Sequence, residues 1–232
     1  MTFHVVTIFP EFFRGPFEYG VVARGVRAGK LRIVIHDLRN WTFDAHRSVD
    51  DRPFGGGEGM LMKPEPFFLA VESILPARSR AKHHVLLTSA QGALFDQGKA
   101  RSLSQKEEVV LLCGRYEGVD ERVANFLADE EISIGDYVLS GGELAAAVVI
   151  DAVARLLPGV LGNEDSVQRD SFGEHLGGEF DCPHYTRPAD FRGLRVPEVL
   201  LGGNHEAIRH WRRQAALDKT RRVRPGLAQD WN

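Results

Sequence analysis

Five short runs rich in Val, Ile and Leu punctuate the first two-thirds of the chain. They are Phe3–Phe9, Leu31–Leu38, His84–Ser89, Val109–Cys113 and Ile132–Leu139, and each reads as a strand. Segments with helical spacing lie between them, near Glu11–Tyr19, Val21–Ala28, Pro64–Leu75, Asp96–Ser104 and Asp120–Ala128. Strands alternating with helices predict an α/β fold, a parallel sheet covered on both faces. Ligands of such sheets bind beyond the carboxyl ends of the strands. Three strands run into glycine-bearing loops: Thr88–Gly92, Cys113–Gly118 and Ile134–Gly142. Loops of that kind at one sheet edge predict a pocket walled by backbone groups.

The last of these loops carries the densest signal. Ser140 and Glu143 have the spacing of a capping box at a helix entrance. Gly141 and Gly142 lie between them, where no side chain blocks an approaching ligand. Leu144–Leu157 follows, almost all Ala, Val, Ile and Leu, and predicts a helix buried nearly all round, with Arg155 near its end. Glycines alone fit an ordinary tight strand-to-helix turn equally well. After Pro158 the pattern changes. Residues 159–180 are polar and glycine-rich without a sustained period, and read as a linker or lid. Val196–Leu201 and a helix from Asn204 to Arg222 then predict a small C-terminal unit.

Composition narrows the class. Of 232 residues, 43% are hydrophobic and 26% charged, the balance of a soluble globular protein. The N-terminus lacks the basic start of a signal peptide, and no apolar run reaches the ~20 residues that span a bilayer, so a cytoplasmic location is expected. Two cysteines, Cys113 and Cys182, exclude a disulfide framework. Cys113 sits in an apolar run and reads as a buried small hydrophobe. The net charge of −3 hides an asymmetry. Ten acidic and two basic residues fall between Glu107 and Glu143, against five acidic and ten basic between Arg187 and Asn232. Clustered Arg suits a polyanion, although a solvated helix would show the same charge.

Familiar ligand motifs are absent. No Gly-x-Gly-x-x-Gly follows a strand, and Gly92…Gly98-Lys99-Ala100 lacks the Ser or Thr that a phosphate loop uses for magnesium. His205 and His210 are five apart and do not share a helix face, so no zinc-protease site is expected. No metal ligands are assigned.

Six blocks, in order along nearly the whole chain, carry a resemblance. They are Val49–Met62 (VDDRPFGGGEGMLM), Leu112–Arg122 (LCGRYEGVDER), Ile134–Glu143 (IGDYVLSGGE), Pro158–Gly162 (PGVLG), Asp181–Pro188 (DCPHYTRP) and Gly203–His205 (GNH). Together they resemble the bacterial tRNA (guanine-N1)-methyltransferase (TrmD) family of the SPOUT superfamily. The resemblance implies a parallel sheet with a deep trefoil knot, a feature that general topology rules disfavour. It implies a SPOUT domain over 1–158, a linker over 159–180 and a small, mainly helical tRNA-binding domain over 181–232. It also implies a homodimer with shared active sites.

On this resemblance, S-adenosylmethionine occupies the three loops, against Ser89, Gly114, Tyr116, Gly118, Ile134, Gly135, Tyr137, Val138, Leu139, Ser140, Gly141 and Gly142. A magnesium requirement for catalysis is compatible with it. The substrate would be the guanosine immediately 3′ of the anticodon, with a second guanosine required on its 5′ side. Asp170 would take the N1 proton as N1 attacks the methyl group, and Arg155 would stabilise charge on O6. By themselves, Asp170 is an ordinary loop carboxylate and Arg155 an ordinary helix C-terminal cation. Glu117 would accept hydrogen bonds from a guanine edge. His46, Arg47, Asp50, Arg52, His184, Tyr185, Arg209 and Arg213 would contact tRNA. The chain departs from the family pattern in a longer loop after Asp170, in Ala90 where proline is usual, and in a short stretch after Pro225. A SPOUT enzyme for another RNA position and a non-catalytic RNA-binding protein are the alternatives.

Overall fold

A computed structural model describes residues 1–162, 170–173 and 179–227. The chain forms two compact units, Met1–Gly162 and Asn163–Asn232. The first is built on β1 (Thr2–Thr7), β2 (Arg32–Asp37), β5 (His83–Leu94), β6 (Glu108–Cys113) and β7 (Glu130–Ser133). These make one parallel sheet in the order β2-β1-β6-β5-β7. A short antiparallel pair, β3 (Asp50–Asp51) and β4 (Leu61–Met62), lies outside it.

Strand alternation sorts the core into two layers. Phe3 and Val5 of β1, with Val109, Leu111 and Cys113 of β6, pack on one face against α1 (Gly20–Arg27), α3 (Gln97–Ser104) and α4 (Glu143–Ala154). Val6, Val110 and Leu112 pack on the other against α2 (Pro64–Ile74) and the π-helical turn Val123–Leu127. Cys113 is buried as expected, and burial next to the Glu143 carboxylate pushes its thiol pKa well above the ordinary value. Among the described residues, no helix is long and apolar enough to cross a membrane.

Several elements differ from the sequence reading. The run expected as a helix from Glu11 gives only a 3₁₀ turn, Pro10–Phe13, and the one expected from Asp120 gives the π turn. The fifth strand stops at Ser133, not Leu139. Gly135 takes φ +154°, and the Ser133 hydroxyl bonds the Gly135 backbone, which turns the chain out of the sheet. α4 is not buried all round: Leu144, Val148, Asp151 and Arg155 form an exposed stripe along it.

Two histidines near the sheet edge tie stability to pH. His4 Nδ1 lies 3.0 Å from His36 Nε2, and both rings are partly buried. Burial, then the positive charge of Arg32, lowers His4 to about 4. Burial, then His4 itself, lowers His36 to about 4. The unfolded chain therefore binds more protons than the folded one between pH ~6.5 and about 4. This contribution is intact above pH ~6.5 and is lost as pH falls towards 4. Urea midpoints measured across that window are expected to fall with acidity, and less steeply for His36→Phe. A parallel slope in the variant would reject the assignment.

The second unit contains the antiparallel pair β8 (Asp190–Phe191) and β9 (Leu194–Arg195), α5 (Glu198–Leu201) and α6 (His205–Val223). Asn204 caps α6 with its side chain, accepting from the backbone N–H groups of Glu206 and Ala207. Residues 163–169 and 174–178 of the expected lid lie outside the described residues.

Candidate active site

The strand-end loops converge as their glycines suggest. β5 pairs with β7 up to Thr88, leaves the sheet over residues 89–92, and returns to pair at Ala93 and Leu94. That excursion, the loop after β6 and the loop after β7 enclose a cavity of about 440 Å³ at the carboxyl ends of the strands. Such a volume suits a small-molecule ligand. Ser89, Gly114, Tyr116, Gly118, Ile134, Gly135 and all of Tyr137–Gly142 line it. Leu61, Leu87, Val119, Ile132 and Ala145 supply apolar surface, while Glu117, Glu121 and Glu131 bring carboxylates to the walls.

The helix entrance is not the capping box that the spacing suggests. Gly142 occupies the cap position, and no side chain caps it. Glu143 turns inward and is only 1% exposed. Its carboxylate accepts from the Thr7 hydroxyl at 2.6 Å and from Arg115 Nε and Nη2 at 3.0 and 2.9 Å. Arg115 also donates to the Ser140 carbonyl at 3.0 Å, and its guanidinium sits 4.6 Å from the centre of the Phe9 ring. Thr7 and Arg115 were not singled out by the sequence reading, which gave Glu143 only a capping role. Their signal was a lone Glu at the head of an apolar helix, which needs a buried partner.

Gly141 and Gly142 also serve a different purpose from an open mouth. A Cβ on Gly141 would strike the Arg115 side chain. One on Gly142 would strike the Thr88 hydroxyl and come within 2.9 Å of Cys113 Cα. The Gly142 N–H donates to the Gly114 carbonyl at 3.0 Å. These glycines let three backbone segments close on each other, and only then do they border the cavity.

The profile of the family described as tRNA (Guanine-1)-methyltransferase TrmD matches residues 1–230. The chain belongs to this family. It is 54% identical to a tRNA (guanine-N(1)-)-methyltransferase of Koribacter versatilis, over 98% of this chain and 92% of the relative. It is also 54% identical to one of Moorella thermoacetica (98% and 90% covered) and 52% identical to one of Dictyoglomus turgidum (96% and 88% covered). Methyltransferases of this family imply S-adenosylmethionine as donor.

The remaining candidates fall elsewhere. Arg155 follows α4 and is exposed, but is not among the cavity-lining residues. His46, Arg47 and Arg52 are exposed in the first unit. Arg47 donates to Asn40 Oδ1 at 2.8 Å, and Asp50 pairs with Met62 in the small sheet. Asp170 belongs to the second unit, in a turn where Gly173 N–H donates to the Asp170 carbonyl. That turn is strapped to the chain ahead of Pro183: Phe172 N–H donates to Glu179 O, Asp181 N–H to Ser171 Oγ, and the Phe172 and Phe180 rings meet edge to face.

His184 and Tyr185 line a second cavity with Arg187, Arg212 and the apolar Val196, Leu200 and Ile208. Arg209 and Arg213 are exposed on α6. His184 Nε2 lies 2.8 Å from Asp181 Oδ2. Burial raises the Asp181 carboxyl, but the hydrogen bonds from His184 and the Cys182 N–H hold it below its usual range. Among the described residues, Asp181, Cys182 and His184 are the one trio whose ligand atoms cluster, within 4.8 Å. That mixed sulfur, nitrogen and oxygen set is unlike the oxygen shell that magnesium takes.

Proposed function

We propose that this chain transfers the methyl group of S-adenosylmethionine to N1 of the guanosine immediately 3′ of the anticodon. One observation carries the reading: in a chain of this family, the three strand-end loops meet around a single ligand-sized cavity. Backbone donors and acceptors in its glycine-rich walls suit adenine and ribose, and nearby carboxylates suit a sulfonium cation. When bound, the donor supplies an electrophilic methyl group. Neutral guanine holds a proton on N1, so its attack needs a base. Asp170 accepts that proton, and Arg155 stabilises the negative charge that develops on O6.

Arg155 shares an exposed stripe with Leu144 and Val148, which are 51% and 46% exposed. A second copy of the chain covering that stripe would shield both side chains and bring Arg155 to a neighbouring site. We therefore read the enzyme as a homodimer with shared active sites. The knotted SPOUT topology belongs to the same proposal and rests on the family match. The reading keeps a SPOUT domain over 1–158, a lid over 159–180, a tRNA-gripping domain over 181–232 and a cytoplasmic location as parts of the same proposal, and it is compatible with magnesium without requiring it.

The deciding experiment supplies donor labelled in its methyl group, an anticodon stem-loop and the purified protein, then identifies the modified nucleoside. The expected product is 1-methylguanosine at the position 3′ of the anticodon. Label at another base or ring position would replace this reading with that of a different RNA methyltransferase. No transfer at all would favour a non-catalytic binder.

A further inference from the structure

We propose that Gly59 is a positioning residue for Glu117 and thereby sets the guanine selectivity of the site. The proposal rests on the reading that Glu117 meets a guanine edge. The segment before β4 carries glycines at 55, 56, 57 and 59, and it ends against the cavity loop. Glu117 N–H donates to the Met60 carbonyl at 3.1 Å, Met62 N–H to the Gly118 carbonyl at 3.0 Å, and Arg115 N–H to Met62 Sδ at 3.1 Å. Residues 60–62 thus run alongside residues 115–118, and Gly59 falls beneath the Glu117 side chain. A Cβ built on Gly59 would lie 2.5 Å from Glu117 Cγ, 2.7 Å from Oε1 and 2.9 Å from Cδ. Glu117 is otherwise exposed at the cavity wall.

The chemistry follows from that contact. A carboxylate offers two acceptors side by side, which match the N1–H and 2-amino donors of the guanine 5′ of the target; on the target itself, whose N1 faces the methyl group, only the 2-amino donor is open to it. Adenine presents an acceptor at N1 and has no 2-amino group. An exposed Glu samples many rotamers, so it reads a base well only if its direction is fixed beforehand. The bare backbone of Gly59 provides the groove in which the Glu117 stem lies. The obstructing atoms belong to a flexible side chain, so a methyl group at residue 59 would redirect Glu117 and leave the fold in place.

The test uses a matched control. Gly56 and Gly59 have nearly equal φ, +79° and +82°, but a Cβ on Gly56 would meet nothing within 4 Å. Gly56→Ala and Gly59→Ala therefore carry similar backbone strain, and thermal unfolding should shift similarly in both. Selectivity is measured as the ratio of kcat/KM values for two pairs of anticodon stem-loops. One pair carries guanosine or inosine at the target, and the other guanosine or adenosine at its 5′ neighbour. A charged hydrogen bond is worth roughly 10- to 100-fold. Glu117→Gln is expected to lower at least one of these ratios by that order, Gly59→Ala to lower the same ratio comparably, and the double variant to lower it no further. Gly56→Ala should retain the wild-type ratios.

Additive losses in the double variant, unchanged selectivity in Gly59→Ala or in Glu117→Gln, or equal losses in Gly56→Ala would overturn the inference while leaving the methyltransferase reading intact. A wild-type protein that methylates neither guanosine stem-loop would overturn that reading and this inference with it.

Discussion

Asp170→Asn is expected to reduce single-turnover methyl transfer by roughly 10²- to 10⁴-fold, the usual contribution of general-base catalysis. The amide keeps the size of the side chain but cannot accept the N1 proton. Donor binding should persist, because Asp170 lies in the second unit and the cavity is lined by residues of the first. The Asp170 turn is held by backbone and Ser171 contacts that the substitution leaves alone. Calorimetry with S-adenosylhomocysteine and rapid-quench kinetics with tRNA separate the two effects. A variant that keeps most of its single-turnover rate would assign proton removal to another group or to water. Lost cofactor binding would mean that Asp170 belongs to the donor site instead.

Glu143→Ala is expected to cost about 3–5 kcal/mol of stability. It removes the buried acceptor of both the Thr7 hydroxyl and the Arg115 guanidinium, leaving the cation in a pocket where its side chain is only 19% exposed. For a chain of this length, each kcal/mol shifts Tm by roughly 2–4 °C. Donor binding should weaken as well, since Arg115 holds the Ser140 carbonyl at the cavity edge. The double change Glu143→Leu with Arg115→Met removes both charges and should recover a substantial part of the stability, but not the binding. If urea unfolding shows the double variant as unstable as Glu143→Ala, the loss comes from packing and not from an unpaired charge.

Much of the architecture was legible because burial writes a period into the sequence. Four of the five strands of the sheet were marked by their Val, Ile and Leu runs and the fifth only at Ile132 and Ser133, while both core layers follow from the alternation Val109, Val110, Leu111, Leu112 along β6. The errors have local causes. Ile134, Val138 and Leu139 look like strand residues because they are apolar, but they line a cavity and do not pair. Ser140 and Glu143 have capping spacing, yet a helix-start Glu also suits a distant Arg, and spacing does not report a partner 28 residues away. The set of cavity loops was readable from glycines at strand ends, and their assignment to a donor came from motif resemblance. Gly59, Arg115 and Thr7 left no such mark. Their importance comes from contacts between segments remote in sequence, which no periodicity encodes.

The hydrogen bond from Thr7 to Glu143 spans 136 residues, and β1 pairs in register with β6, where Thr2 meets Glu108. Contacts this remote form late and slowly, since the loop they close must be ordered first. On the ribosome, β1 emerges without β6, its central neighbour, and the cavity has no floor until the head of α4 has been made. With the donor in the proposed cavity, an N-terminal fragment that stops short of Glu143 is expected not to hold it. On that reading, the cofactor stabilises a growing chain only once the first unit is nearly complete, and none of the shorter lengths that precede it.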